Sequence, residues 1–198
     1  MRKLLIFLIF LKLSVFNNLQ AYNSNPEDFI FELVNDAISQ LSNKNLTTEE
    51  KSQFIEEMAL ENVDINALGL YTLGELRKSS EKEVIERYQN TFEKYFLKSL
   101  TSRFTDYSTS KFEIIGSDKK SANYTIVSSK IVPKDGQPEI KIDWRIYTKI
   151  PEKPLIRDLI VEGLSLARTQ KEEFSSILSS NNNDINSLIN KLQEFINN

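Results

Sequence analysis

Two carboxylates four residues apart, Asp158 and Glu162, flank an apolar run in the stretch LIRDLIVEGLSLARTQKEEF, Leu155 to Phe174. Paired carboxylates are the usual equipment of general acid–base and glycoside chemistry. In a strand, period-two alternation puts both on one face together with Ile160, about 13 Å apart along the chain at ~3.3 Å per residue. That is too far for the two to act on one bond. The spacing instead predicts that Asp158 bonds backbone or a basic partner and that Glu162 closes the sheet end or caps the next helix. A single carboxylate, Asp143 or Asp158, is left as a base for a small apolar substrate, and alternation sets Asp143 opposite Trp144. Gly69 and Gly74 have the spacing of a phosphate-binding loop, but Glu75 and Leu76 stand where that loop needs Lys and Ser or Thr. A carboxylate there repels a triphosphate, and both glycines read as helix ends. The chain contains no His and no Cys. The usual general base at neutral pH, the cysteine nucleophile and the softer metal ligands are therefore missing, as are disulfides and an acylated-cysteine anchor.

These residues need elements to hold them. Leu155, Ile156, Leu159, Ile160 and Val161 form a nearly continuous apolar run, the pattern of a strand buried on both faces. The strand ends at Gly163. A helix then follows on Leu164, Ala167, Phe174, Ile177 and Leu178, with Thr169 and Glu172 spaced as a capping box. Upstream, Ile30, Leu33, Val34, Ala37, Ile38 and Leu41 fall on one face of a helix over 27–41. Thr47 and Glu50 form a capping box for a second helix, Asp64 opens a short third one ending near Gly74, and Ser80 with Glu83 caps a long helix to about Leu100. Alternation then sets in: a strand from Phe112 stopping at Gly116-Ser117-Asp118, another over 122–132, a turn at Pro133-Lys134-Asp135-Gly136, and a half-buried strand over 139–150. The last helix carries Ile185, Leu188, Ile189, Leu192, Phe195 and Ile196 on one face. Helices, a four-stranded antiparallel meander, then helices make an α+β plan: a curved sheet wrapped by helices. The order divides the chain into a helical part over about 27–104, a sheet over about 111–163 and C-terminal helices over about 165–197.

The beginning of the chain reads as a secretory signal. Arg2 and Lys3 precede an apolar run, Leu4 to Phe16, too short to span a bilayer well, and Leu19-Gln20-Ala21 offers a cleavage point after Ala21. Removing residues 1–21 leaves 177 of the 198 residues, one domain over 22–198. The three basic residues leave with the signal, so 22 basic side chains face 28 acidic ones, a net charge of −6. That balance excludes a typical nucleic-acid binder and argues against permanent attachment to an anionic membrane.

The order D-x-x-x-E-G-L-S-L at Asp158, Glu162, Gly163, Ser165 and Leu166, followed by Phe174, Ile177 and Leu178, resembles the MlaC family, also called the toluene-tolerance auxiliary proteins. The resemblance runs from about Phe29 to Phe195 and includes Thr72-Leu73-Gly74 and the closing helix INSLINKLQEF. Where the family commonly shows Asn-Tyr-Arg, this chain has Thr169, Gln170 and Lys171, and the family's Asp-rich phrase is reduced to Val63-Asp64-Ile65. The resemblance implies a fold like nuclear transport factor and ketosteroid isomerase, a cone extended by a helical subdomain. It implies a periplasmic phospholipid carrier that shuttles lipid between an outer-membrane lipoprotein complex and an inner-membrane ABC transporter with its membrane-anchored substrate-binding subunit. Such a carrier maintains outer-membrane lipid asymmetry, works as a monomer, and has cargo but no cofactor, metal or catalytic residue. The expected pocket is lined by Ile126, Ile142, Trp144, Ile146, Leu159 and Val161 from the sheet and by Val34, Ile38, Phe92 and Phe96 from helices. A filled core and a lipid-filled one are lined by the same apolar side chains. Two other readings therefore stand beside the carrier: a small enzyme on the same cone using a carboxylate base, and a protein-binding adaptor with a packed core.

Overall fold

The computed structural model describes residues 22–102, 111–133 and 138–198. The expected signal segment and most of the expected turn at Pro133–Gly136 lie outside them. Five helices come first: α1 Pro26–Ser42, α2 Thr48–Asn62, α3 Ile65–Thr72, α4 Leu76–Ser79 and α5 Lys82–Thr101. The strands β1 Lys111–Ser121, β2 Tyr124–Val132, β3 Ile140–Tyr147, β4 Leu155–Val161 and β5 Leu164–Ser165 follow, then α6 Leu166–Ser180 and α7 Ile185–Asn197.

Most helix starts are fixed by side chains satisfying otherwise orphaned N–H groups. Asn25 caps α1 ahead of Pro26, Asp64 accepts from the Ala67 N–H at the start of α3, and Asp184 caps α7. The capping box expected at Thr47 and Glu50 is present, with the Glu50 N–H reaching Thr47 Oγ1 at 3.2 Å and the Thr47 N–H reaching Glu50 Oε2 at 2.8 Å. Thr47→Ala is expected to lower unfolding free energy by about 1 kcal/mol, measured by urea denaturation.

The other two expected boxes do not form. Ser80 closes α4, its N–H bonded to the Leu76 carbonyl at 3.0 Å, so the N-cap of α5 moves one residue on, to Glu81, which makes no side-chain cap. Near Thr169 the helix starts earlier than its pattern suggests. Ser165 is the cap, accepting from the Arg168 N–H, and the Thr169 hydroxyl, inside α6, donates back to the Ser165 carbonyl at 3.1 Å.

The sheet is antiparallel in the order β1-β2-β3-β4-β5. It has five strands rather than the expected four, because Leu164 and Ser165 fold back onto Val161 and Ile160 before α6 begins. The two residues between, Glu162 and Gly163, have φ of 49° and 83°, the left-handed pair of a tight hairpin turn that glycine accommodates without strain. β1 does not stop at Gly116. A bulge between Ile114 and Gly116 absorbs one residue, and pairing resumes to Ser121. A bulge in β4 has a larger consequence. Asp158 opposes Arg145 while Ile156 opposes Ile146, so Arg157 is extra and the parity of the strand flips there. Ile156, Leu159 and Val161 therefore share one face, where strict alternation had set Ile156 with Ile160 on the other.

Two apolar clusters result. One lies between the sheet and α1–α2: Phe29, Ile30, Leu33, Met58, Phe112, Val127, Trp144, Ile146 and Ile156. The other is built by the helices alone and includes Tyr88, Phe92, Phe174, Leu178, Leu188 and Leu192. In the second, Gly69 lets α3 and α5 approach closely, since a Cβ there would lie 2.9 Å from Phe92 Cδ1. Burial pushes the Tyr88 phenol well above its ordinary pKa, so it stays neutral and pairs with Thr72 Oγ1 at 2.7 Å. Val63 packs against both clusters, and the Asp64 N–H bonds the Ile156 carbonyl at 2.9 Å.

Candidate functional site

The sheet face toward α1 and α2 is the apolar interior that the sequence assigned to a pocket. Trp144 sits at its centre, 8% exposed. Its indole N–H donates to Ser129 Oγ at 2.8 Å, and Ser129 in turn donates to the Ile142 carbonyl at 3.0 Å. The polar end of the indole is thus satisfied inside the sheet, and its ring is free to pack. Phe112 meets it edge-on at 6.4 Å between centroids. Val127 and Ile146 beside it are fully buried. Around this buried set lies a rim of half-buried apolar side chains, among them Val34 and Ile38 of α1, Phe54 of α2, Ile131, Ile142 and Leu159.

Six of the ten expected pocket residues therefore come together: Val34, Ile38, Ile142, Trp144, Ile146 and Leu159. Val161 opposes Ile142 at the end of β4, on the same face but outside the cluster. Phe92 and Phe96 are elsewhere. α5 packs on α2, α3 and α7, and both rings belong to the helical cluster, where Phe92 meets Phe174 of α6 edge-on at 6.2 Å. Ile126 opposes Arg145 and so faces away from Trp144. The buried partners in its strand are Thr125, Val127 and Ser129. Two small polar residues flanking one valine hide which parity of β2 is inward. Phe29, Ile30, Leu33, Met58 and Phe112 also build this interior; helical spacing sets Ile30, Leu33 and Met58 on inward faces but does not say that they meet the sheet.

Neither acidic residue of the junction motif faces this interior. Asp158, 3% exposed, accepts from Ser165 Oγ at 2.7 Å and from the Ala167 N–H at 3.0 Å. Arg145 Nη1 lies 3.4 Å away. It therefore ties the start of α6 to β4 on the face away from Trp144, as the spacing suggested. Glu162 lies in the turn, not on the strand, and its carboxylate accepts from the Lys141 N–H at 2.5 Å. Asp143 accepts from Ser128 Oγ at 2.6 Å on the same outer face. The extra residue of the β4 bulge, Arg157, pairs with Asp64 at 2.6 Å, donates to the Tyr124 hydroxyl at 2.6 Å and stacks 3.6 Å over the Tyr147 ring. It fastens the first turn of α3 to the sheet.

Among the described residues, the clefts that open at the surface include two. One, of about 340 Å³, lies between Tyr22, Phe29, Glu61, Asn62 and residues 152–154. The other, of about 520 Å³, lies between α3 and α6 and is lined by Tyr71, Arg168, Lys171, Glu172 and Ser175. Neither is lined by the expected pocket residues. Among the described residues no His, Cys, Asp and Glu side chains gather in a group able to hold a metal ion, and no helix is long and apolar enough to cross a membrane.

An antiparallel sheet whose apolar face is covered by helices, with its carboxylates turned outward, defines an α+β protein with an apolar interior. The family model described as MlaC protein matches residues 32–194, and the chain belongs to the MlaC family. Its fold is similar to that of a phospholipid-binding protein from Ralstonia solanacearum, solved in complex with a phospholipid. The TM-score is 0.70 at 15% identity, over 84% of this chain and 94% of that one. No curated protein matches the chain significantly.

Proposed function

We propose that this protein is a periplasmic phospholipid carrier, secreted with a signal cleaved after Ala21 and working as a single lipid-binding domain over 22–198. The observation that carries the reading is membership of the MlaC family, with a fold shared with a protein solved around a phospholipid. The physical need is plain. Two acyl chains hold about 30 methylenes, and leaving them in water costs roughly 24 kcal/mol at ~0.8 kcal/mol each. The carrier exchanges that water for the apolar face centred on Trp144, entered through the half-buried rim of Val34, Ile38, Ile142 and Leu159. Sheet and helices then form the two walls of a cone, with Val161 at its edge. The headgroup stays solvated at the mouth, so no basic cluster is needed there. Transfer involves no covalent step and no cofactor. The lipid passes between an outer-membrane lipoprotein complex and an inner-membrane ABC transporter with its membrane-anchored subunit, which preserves outer-membrane lipid asymmetry.

Native purification followed by lipid extraction and mass spectrometry tests this. Phospholipid recovered in near-stoichiometric amount is the expected result; protein free of lipid from every host preparation ends the proposal. In that event the direct packing of Val127, Trp144 and Ile146 against their neighbours favours the adaptor reading, a packed core presenting its surface to a protein.

A further inference from the structure

The chain ahead of α1 doubles back over that helix. Asn25 caps it, the Asn23 N–H donates to Glu32 Oε2 at 2.9 Å, and the Tyr22 hydroxyl donates one helical turn further on, to Asp36 Oδ2 at 3.2 Å. The Tyr22 ring meets Phe29 edge-on at 6.2 Å and packs against the sheet–helix cluster. Residue 22 is thereby fixed in the wall of the cleft that it shares with Glu61, Asn62 and residues 152–154.

This corner is rich in acceptors and short of cations. Burial first, then Asp36, Glu61 and Glu32, push the Tyr22 phenol well above its ordinary pKa, so three carboxylates act on this one residue. Among the described residues none of the three joins an ion pair. Glu61 lies in the last turn of α2, where the helix dipole opposes a carboxylate and favours a cation, yet that turn carries no basic residue. Asn62 beside it is 8% exposed. Its Nδ2 donates to the Met58 carbonyl at 2.9 Å, and among the described residues nothing donates to its Oδ1, which opens to the cleft. Of the described lining residues only Lys153 is basic, and it is exposed with Glu152 next to it.

Removal of residues 1–21 supplies the missing charge. Hydrolysis of the Ala21–Tyr22 bond consumes one water and leaves a carboxylate on the signal and an α-ammonium on Tyr22. Before cleavage that nitrogen is a neutral amide with one N–H; afterwards it carries a full charge and three donors. It stands one residue, about 3.8 Å at most, from the Asn23 nitrogen that Glu32 already holds.

We propose that the α-ammonium of mature Tyr22 seats among Glu32, Asp36 and Glu61, with Asn62 Oδ1 as a neutral acceptor, and pins α1 to the end of α2. Both helices cover the apolar interior, so the precursor holds that cover less firmly and cleavage completes it. Seating requires cleavage after Ala21, as proposed above, and is independent of the cargo.

The test compares the secreted protein beginning at Tyr22 with a secreted chain carrying Gly-Ser-Gly ahead of Tyr22, each start established by intact mass. At pH 7 the chain beginning at Tyr22 should unfold about 2–4 °C higher, and its α1 amides should exchange more slowly while those of α5 are unchanged. The carboxylates hold the α-ammonium above its ordinary pKa of about 7.7–8.0. The advantage is therefore full below that range and is lost as pH rises through the raised value. Glu152, Lys153 and the Tyr22 phenol face the cleft in both chains and cancel from the difference. Glu32→Gln with Glu61→Gln should abolish most of the difference at pH 7. Equal unfolding temperatures at pH 7, a difference that persists undiminished at alkaline pH or in the double variant, or a mature chain that begins elsewhere than at Tyr22 would each overturn it. Lipid extraction from the same samples is read separately: lipid-free protein that begins at Tyr22 and keeps the pH-dependent advantage ends the carrier reading and sustains this one.

Discussion

Replacing Trp144 by Ala is expected to lower the unfolding free energy by about 3–5 kcal/mol and to reduce the phospholipid recovered per chain. The residue is almost wholly buried between Phe112, Val127 and Leu159, in the cluster closed by α1 and α2. Truncation removes the largest side chain of that cluster, its edge-on contact with Phe112 and the hydrogen bond to Ser129. The strands around it are locked by their ladders, so collapse onto the vacated space is incomplete. Trp144→Phe separates the contributions. It keeps most of the ring packing and loses the indole N–H, while Ser129 still donates to the Ile142 carbonyl. Its cost should be nearer ~1 kcal/mol. Trp144 is the only tryptophan, so unfolding must be followed by far-ultraviolet circular dichroism rather than intrinsic tryptophan fluorescence. Phosphorus analysis of an organic extract gives the lipid content. An Ala variant that retains full lipid occupancy would remove Trp144 from the lining and shift the cargo toward the rim.

The legibility of this fold follows its local rules. α1, the α2 capping box and the Asp64 cap were readable, because each depends on residues within one turn. The alternation of β3 was readable too, and it put Ile142, Trp144 and Ile146 on the buried face. Long-range competition hid the rest. Ser80 and Glu83 have the spacing of a capping box, but the short α4 takes Ser80 as its terminus. Thr169 and Glu172 have it as well, but Asp158 holds Ser165 and Ala167 and starts the helix earlier. The bulge at Arg157 left no mark in the apolar pattern of β4, since Ile and Leu stand on both sides of it. It is recognisable only through the partners of Arg157: Asp64, Tyr124 and Tyr147. The aromatic stripe of α5 does not say which core it enters. Phe92 and Phe96 joined the helices, not the sheet.

Asp158→Ala is expected to cost about 3 kcal/mol without emptying the lipid site. The carboxylate accepts two hydrogen bonds, from Ser165 and from the Ala167 N–H, and bonds to a charged acceptor contribute ~1.5–3 kcal/mol each. Removing it strands both donors at the entrance to α6. Its third partner weighs less. Arg145 is 44% exposed in its side chain and can turn to water, so losing that pair adds little. Asp158→Asn, which keeps the shape and one acceptor oxygen, should fall between wild type and Ala in the same urea titration. The contrast with Trp144 lies in the second readout. Asp158 opposes Arg145 on the outer face, so lipid per folded molecule should hold at the wild-type level even as stability falls. Trp144→Ala should lower both. Loss of lipid at undiminished stability in Asp158→Ala would instead mean that the carboxylate faces the cargo, and would reopen an acid–base role for the junction at Leu155 to Phe174.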